Sequence, residues 1–169
     1  MSKVKSSKKS KASTHVTHPF APVYSSTSKV LILGTIPSPS SRKNEFYYMH
    51  PQNRFWLVMQ KIFDVEFKYK NNEGPKAINE RKEFLLNHDI AVWDVIKSCD
   101  IIGAGDSSIK NAKENDFHEI FEKSNIKKVF CTGFKVIGQF IAFKPATIFS
   151  ETLIFSVKFI SSLNSMSIS

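Results

Sequence analysis

Side chains that can stack on a flat ring or position a water molecule are concentrated in residues 34–56. This segment holds two adjacent tyrosines, Tyr47 and Tyr48, and the amide of Asn53. Connections of roughly twenty residues are uncommon in compact domains, and those without secondary structure of their own are usually functional or disordered. Because disordered segments are poor in aromatic residues, the composition predicts a functional loop. In that loop the tyrosines offer stacking faces and Asn53 can orient water.

An apolar run directly precedes this loop. Residues 29–33 read Lys-Val-Leu-Ile-Leu and are followed by Gly34, which is the pattern of a strand buried on both faces of a parallel sheet. Ligands of open α/β sheets bind beyond the carboxyl ends of the strands. An ordinary strand-to-helix turn is the alternative interpretation of the residues that follow. We predict a pocket floor formed by Gly34, Thr35, Ile36, Pro37 and Ser38.

An amphipathic helix is predicted to follow the loop. Its apolar side chains recur at helical spacing over residues 53–64: Phe55, Trp56, Met59, Ile62 and Phe63. Asn53 stands at the start of this helix and has two interpretations. It is either an N-cap, whose side-chain oxygen accepts a backbone N–H, or a side chain that faces the pocket. Pro51 biases His50 towards extended geometry, which helps to aim the segment across the strand ends.

The motifs of this region resemble those of a known family. Gly-Thr-Ile-Pro-Ser at 34–38, followed by Phe-Tyr-Tyr-Met-His-Pro-Gln-Asn-Arg-Phe-Trp at 46–56, resembles the first motif of the uracil-DNA glycosylase superfamily. The likeness is strongest to its hypoxanthine (deoxyinosine) and mismatch-specific branch. It continues through residues 91–99, 106–111 and 129–133, so that it covers roughly residues 29–143. The resemblance implies an enzyme that hydrolyses the N-glycosidic bond of a deaminated base, hypoxanthine or uracil, in DNA.

The resemblance also implies roles for individual residues. Mismatch-specific enzymes carry a catalytic Asn where this chain has Ile36, whereas the hypoxanthine-type enzymes have an apolar residue there and use the Asn that corresponds to Asn53. Tyr48 takes the place of the aromatic residue that stacks on the extruded base. The same motif predicts four DNA contacts: Ser41, Arg42, His50 and Arg54.

Asp94 is a candidate for choosing the base. It lies late in the strand-like run at 90–96, and if that strand ends early the carboxylate lies beside the pocket. A carboxylate there accepts the ring N–H that hypoxanthine and uracil have and that adenine and cytosine lack. The alternative for Asp94 is a capping or ion-paired role. The alternative for Tyr47 and Tyr48 is core packing, although strand alternation would bury only one of the two tyrosines. The chemistry requires no metal and no cofactor.

Strand-like and helix-like segments alternate along the chain. They predict an α/β fold, a three-layer sandwich with a central, mainly parallel four-stranded sheet flanked by helices. Residues 1–27 are predicted to form a disordered basic tail, because five lysines and no acidic residue lie in residues 1–19. Residues 28–169 form one glycosylase-like domain. The tail accounts for five of the nine net positive charges, so the domain is also basic, as DNA binding requires.

The end of the chain departs from the family pattern. The family closes with a strand, a Ser-Pro loop that wedges into the duplex and a last helix; here residues 152–160 can form the strand. Residues 161–167 lack Pro, and the sequence stops before a helix forms, so an atypical or truncated C-terminus is expected.

Two other functions stay open: a catalytically inactive DNA-binding protein that keeps the fold, and a nucleotide-binding α/β protein, for which the glycine-rich phosphate motifs are missing.

Composition limits where such a protein works. A membrane span needs about eighteen consecutive apolar residues, and the sequence has no such run. No apolar signal segment occurs near the start. Cys99 and Cys131 have no CxxC partner, as expected of reduced thiols. We therefore expect a monomer inside the cell, in the nucleus of a eukaryote or otherwise in the cytoplasm.

Overall fold

A computed structural model of the chain describes residues 12–103, 105–142 and 153–156. The strands are β1 (Thr14–Thr17), β2 (Val30–Gly34), β3 (Ile90–Asp94), β4 (Ile96–Ile101), β5 (Lys110–Glu114), β6 (Lys128–Cys131) and β7 (Leu153–Ser156). The α-helices are α1 (Pro39–Lys43), α2 (Phe55–Phe63), α3 (Pro75–Asn87), α4 (His118–Glu122) and α5 (Phe134–Ala142). No helix in this described part of the chain is long and apolar enough to cross a membrane.

A parallel sheet of four strands, in the order β3-β2-β6-β7, forms the centre of the fold. Alternate residues of β2 point to opposite faces, as strand geometry requires. Ile32 packs in an apolar core together with residues of α2 and α3, and Leu31 and Leu33 pack in a second core with residues of α4 and α5. The sheet is therefore the middle of three layers, which explains why the apolar run of β2 is continuous.

A second sheet, antiparallel and in the order β1-β4-β5, was not predicted. The sequence suggested one strand over residues 90–96, but the chain breaks at Val95. Strand β3 ends at Asp94 in the parallel sheet, and β4 begins at Ile96 in the antiparallel one. The prediction of an α/β class is thus confirmed, but the picture of one sheet was incomplete. Val95 belongs to the core beneath the parallel sheet, while Ile96 begins a separate apolar cluster.

The prediction that residues 1–27 form a disordered tail is wrong from residue 14, where strand β1 begins. Strand β1 pairs antiparallel with β4, from Thr14 opposite Ile101 to Thr17 opposite Ser98. Only Val16 of β1 is buried, so the strand is too polar to be recognised from its own pattern. Pairing with β4 supplies the hydrogen bonds that such a segment cannot provide alone. The domain therefore begins before residue 28, and the predicted disorder of residues 1–11 lies outside the described residues.

Beyond residue 142 only β7 is described. It lies within the segment predicted as the last strand, and it runs parallel to β6 with Lys128 opposite Leu153. The predicted loop at 161–167 and the predicted lack of a final helix lie outside the described residues.

Candidate active site

A pocket of about 170 Å³ opens at the carboxyl ends of β2 and β3. This is the place where ligands of open α/β sheets bind. Its lining residues are Gly34, Thr35, Ile36, Pro37, Ser38, Ser41, Tyr47, Tyr48, Asn53, Asp94, Asp106 and Thr132. All five residues of the predicted floor and the predicted Tyr48, Asn53 and Asp94 are thus brought together. The structure divides the lining differently from the predicted floor of residues 34–38. From here on, "floor" denotes Gly34, Tyr48 and Asp94, and "rim" denotes Thr35, Asn53 and Asp106.

Gly34 and Asp94 are neighbours in the floor because β2 and β3 are paired in register. Gly34 lies directly opposite Asp94 in the parallel ladder. A Cβ atom on Gly34 would lie 2.2 Å from Asp94 Oδ1 and 3.2 Å from the Tyr48 hydroxyl. Any side chain at this position would displace the carboxylate. Glycine is therefore required here for space, and it lets the backbone form one wall of the pocket.

The Asp94 side chain is buried and paired with a residue that the sequence analysis left in the tail. Nε2 of His18 lies 3.0 Å from Asp94 Oδ2, and the two side chains are only 2% and 6% exposed. Burial raises the pKa of Asp94 above its ordinary value, while the hydrogen bond from His18 opposes that shift. The main-chain oxygen of Asp94 accepts a 2.9 Å bond from the Asn115 amide, which fixes the end of β3.

The two tyrosines have different positions, although residues 46–49 form a turn and not the strand that alternation would need. Tyr47 is buried in the core, and its hydroxyl donates to the main-chain oxygen of Ala21 at 3.0 Å. Tyr48 adopts a left-handed backbone conformation, φ 56°, and its ring stacks on Phe55 with 3.9 Å between the ring centroids. Burial and the nearby charge of Asp94 raise the pKa of Tyr48, so its hydroxyl stays protonated. Phe55 covers one face of the Tyr48 ring, so that only the other face is left for a ligand.

Asn53 is not the N-cap of α2, which is Arg54, but its side chain makes a capping bond to the start of the helix from one position earlier. Its Oδ1 accepts the N–H of Phe55, the first residue of α2, at 2.8 Å. The main-chain N–H of Asn53 donates to the main-chain oxygen of His50 at 2.9 Å. This capping bond reaches the first helical residue, whereas an N-cap side chain bonds the second or third, and it holds the amide oxygen towards the helix. A carbonyl oxygen has two lone pairs, so Oδ1 can also accept a hydrogen bond from a water in the pocket.

Asp106 and Thr35 complete the rim. The Thr35 hydroxyl donates to Asp106 Oδ2 at 2.8 Å, and Asp106 itself is exposed. The sequence analysis included Asp106 only as the first residue of a segment, 106–111, that resembles the family, and it gave Asp106 no role. Its place in the rim depends on the turn after β4 folding back over the end of β2, which local sequence patterns do not reveal.

Two of the predicted DNA contacts, Ser41 and Arg42, form hydrogen bonds within the protein. Ser41 is buried in α1, and its hydroxyl accepts the N–H of Met49 at 3.3 Å. Arg42 donates to the main-chain oxygen of Pro37 at 2.7 Å. Both residues therefore stabilise the turn that carries the floor, and this role is available to them without DNA.

The other two predicted contacts, His50 and Arg54, are exposed. Neither lines the pocket. Arg54 lines an adjoining groove of about 580 Å³, which shares Asn53 with the pocket and also contains Lys68 and Lys70. The groove therefore carries several cations close to the pocket mouth. Within residues 12–103, 105–142 and 153–156, no three His, Cys, Asp or Glu side chains are grouped so that they could hold a metal ion.

The fold is similar to a solved structure of the uracil-DNA glycosylase class. That solution NMR structure, of a protein from Methanosarcina acetivorans assigned as a uracil DNA glycosylase, matches with a TM-score of 0.58 and 26% identity. The match covers 69% of this chain and 70% of the other. The architecture and the pocket at the strand ends thus define the class of protein. No protein-family profile matches the sequence.

Two curated relatives identify the branch. A hypoxanthine DNA glycosylase of Methanosarcina barkeri is 32% identical over 117 residues, which are 69% of this chain and 70% of the relative. A hypoxanthine DNA glycosylase of Methanosarcina acetivorans is 28% identical over 121 residues, 72% of this chain and 73% of the relative. The chain belongs to the hypoxanthine DNA glycosylase family, within the uracil-DNA glycosylase superfamily.

Proposed function

We propose that this protein is a DNA glycosylase that removes hypoxanthine or uracil from DNA by hydrolysing the N-glycosidic bond. The observation that carries the proposal is the combination, in one pocket, of the buried Asp94 carboxylate and the Asn53 amide. The first suits recognition of a base, and the second suits positioning of water. Family membership supports the same activity.

Recognition requires that the target nucleotide leave the stack, which costs a few kcal/mol. The free face of Tyr48 then stacks on the base, an interaction worth about 1–3 kcal/mol. Asp94 accepts the ring N–H of hypoxanthine or uracil. Adenine offers a lone pair at the corresponding ring nitrogen, and a lone pair facing a carboxylate is repelled. The floor therefore favours deaminated bases.

Cleavage develops positive charge on the sugar and negative charge on the departing base. Asn53 is fixed by its bond to Phe55 and directs a water towards the sugar through the second lone pair of Oδ1. Main-chain N–H groups of residues 34–38 stabilise the charge on the base. No lysine is among the described residues that line the pocket, which supports a monofunctional enzyme, since strand cleavage through a Schiff base needs an amine.

DNA binding uses the exposed cations near the pocket mouth, including Arg54, together with the basic N-terminal lysines. The predicted contacts at His50 and Arg54 are retained in this proposal, because both residues are exposed beside the pocket. Ser41 and Arg42 act mainly through the turn that they stabilise. Action as a monomer and the location in the cell stay predictions.

The test is alkaline cleavage of labelled oligonucleotides that carry hypoxanthine or uracil, after incubation with wild type and two Asn53 variants. Asn53→Ala removes both the capping bond and the amide, and we expect a loss of about a hundredfold or more in excision. Asn53→Ser keeps a capping oxygen, so it separates helix stability from chemistry. Both variants should be inactive. Wild-type activity in Asn53→Ser would show that Asn53 is only a cap.

A second candidate function is DNA binding without catalysis. Two observations favour it: Ile36 replaces the Asn of mismatch-specific enzymes, and the oxygen of Asn53 already holds the N–H of Phe55. This function predicts salt-dependent binding of DNA and no abasic product with either base. Wild-type cleavage that is absent from Asn53→Ala would rule it out.

A further inference from the structure

The buried pair of His18 and Asp94 is not explained by the family motifs. We propose that His18 is a positioning residue, which occupies one carboxylate oxygen of Asp94 and leaves the other to accept the ring N–H of a deaminated base. The inference rests on the proposed function and deepens it, because it assigns base selectivity to a residue that never touches the base.

The two oxygens of Asp94 have different surroundings. Oδ2 lies 3.0 Å from His18 Nε2. Oδ1 lies over Gly34, at 2.2 Å from the position that a Cβ atom would take there, beside the Tyr48 hydroxyl. Since Gly34 and Tyr48 both line the pocket, Oδ1 is the oxygen on the side where a base binds. His18 therefore holds the carboxylate in one rotation.

The surroundings of the His18 ring select one tautomer. Nδ1 is buried and has no hydrogen-bond partner among the described residues. Its aromatic neighbours are Phe20, at 4.7 Å between ring centroids, and Tyr47, at 6.0 Å. A proton on Nδ1 would be a buried donor without an acceptor, which is costly. The proton thus belongs on Nε2, where it is donated to Asp94 and keeps the carboxylate an acceptor.

The backbone on either side of His18 is anchored to the strands that flank Asp94. The N–H of His18 donates to Lys97 of β4 at 2.7 Å. Five residues later Val23 exchanges two main-chain hydrogen bonds with Val92 of β3, at 3.1 and 2.9 Å. Residues 18–23 therefore form a strap alongside β3, from its last residue, Asp94, back to its middle residue, Val92. The polar strand β1, which pairs with β4, fixes the start of that strap.

Removal of His18 should change how Asp94 titrates. The titratable groups that face Asp94 are His18, Asp106, Tyr47 and Tyr48. Burial and Asp106 raise the pKa of Asp94, and His18 lowers it. Without His18 the pKa of Asp94 rises further. A protonated carboxyl group accepts a ring N–H more weakly, and its O–H can instead donate to the lone pair of adenine, so selective excision of a deaminated base then requires a higher pH.

The activity test compares pH profiles of hypoxanthine excision for wild type, His18→Leu and His18→Gln. The Gln amide can donate from the position of Nε2, whereas Leu cannot donate. We expect at least a tenfold loss at pH 7 in His18→Leu, recovered as the pH rises, and a profile close to wild type in His18→Gln. If His18→Leu does not fold, His18→Asn replaces it, because its shorter amide does not reach Oδ2.

A matched control lies three residues before His18, in β1. His15 is also paired with an aspartate, Asp100, at 2.8 Å, but the two side chains are 64% and 31% exposed and lie outside the pocket lining. His15→Leu should keep the wild-type pH profile. An equal shift in His15→Leu and His18→Leu would contradict the proposal, and so would an unshifted profile in folded His18→Leu.

A second measurement does not depend on activity. The carboxyl carbon of Asp94 can be titrated by ¹³C NMR in wild type, His18→Gln and His18→Leu. We expect the midpoint to rise in His18→Leu and to stay near wild type in His18→Gln. An unchanged midpoint overturns the proposal. Failure of wild type to cleave either base would overturn the proposed function alone, since the titration still decides the role of His18.

Discussion

The floor and the rim of the pocket each contain an aspartate, and the two carboxylates have opposite surroundings. Asp94 in the floor is buried and its partner is His18, while Asp106 in the rim is exposed and accepts a bond from the Thr35 hydroxyl. Burial raises the pKa of Asp94. Two carboxyl groups in one pocket are thereby suited to different tasks, because environment rather than residue type determines what each can do.

The two parts also differ in what holds them in place. The floor depends on the register between β2 and β3 and on the close approach of Gly34 to Asp94. The rim depends on loops, joined through single side-chain bonds such as Thr35 to Asp106. Regions held by few contacts open more easily than core strands. Changes in the floor should therefore disturb both fold and activity, and changes in the rim mainly activity.

Gly34→Ala should have the largest effect. The added methyl group would lie 2.2 Å from Asp94 Oδ1 and must displace the carboxylate. We expect the free energy of unfolding to fall by about 1–3 kcal/mol. Excision of hypoxanthine should fall by about a hundredfold or more, since small misplacements cost that much. Urea unfolding and oligonucleotide cleavage measure the two effects.

Gly138→Ala is the matched control for that change. Gly138 lies in α5, and among the described residues no atom beyond its own helix backbone and its two chain neighbours lies within 4 Å of the position of an added Cβ. Alanine there should stabilise the protein by about 0.4–1 kcal/mol and leave excision unchanged. If Gly34→Ala were as harmless as Gly138→Ala, the floor would be far more adaptable than its packing indicates.

Asp106→Asn should have an intermediate effect, confined to the rim. It keeps the shape of the side chain but removes a charge that is exposed at the pocket mouth. We expect excision to fall about tenfold, since a hydrogen bond to a charged group contributes about 1.5–3 kcal/mol. The preference for hypoxanthine over adenine should not change, because the floor is intact. Loss of that preference would place Asp106 in base recognition. The control is Glu122→Gln, which neutralises another exposed carboxylate and should leave excision unchanged.

Thr35→Val should have the smallest effect. Valine has nearly the shape of threonine but cannot donate to Asp106. Because the Asp106 carboxylate keeps its charge and is exposed, water can replace the lost donor, and a net loss of about 0.5–1.5 kcal/mol corresponds to a severalfold slower excision. In the double variant with Asp106→Asn the two losses should not add, because both changes act on the same bond: Thr35→Val removes its donor, and Asp106→Asn removes the charge of its acceptor. Additive losses would show that the hydroxyl and the carboxylate act separately.

The sequence predicted most of the pocket because much of it is local. The apolar run of β2, the turn at 34–38 and the helix that begins at Phe55 all follow from patterns within a few residues. Asn53 and Tyr48 lie in that same stretch. Asp94 was placed correctly relative to the strand end, since β3 stops at Asp94. Their roles in catalysis and recognition stay predictions.

The residues that were missed come from other parts of the chain. His18 stands 76 positions before Asp94, in a segment whose composition resembles a tail. Its burial follows from the pairing of β1 with β4, which no local pattern announces. Asp106 reaches Thr35 across 71 positions, after the chain has changed from one sheet to the other at Val95.

The sequence by itself determined the family, the strand that supports the pocket and the loop that supplies Tyr48 and Asn53. Periodicity, glycine and motif spacing act over short distances, so they can be recognised without knowing the fold. Only the tertiary structure decided which partner each aspartate has, and therefore which carboxylate is buried and which faces water. The physical reason is that burial and ion pairing depend on strand register between distant segments, and the energy of a charged group depends on its surroundings in space rather than on its neighbours in the chain.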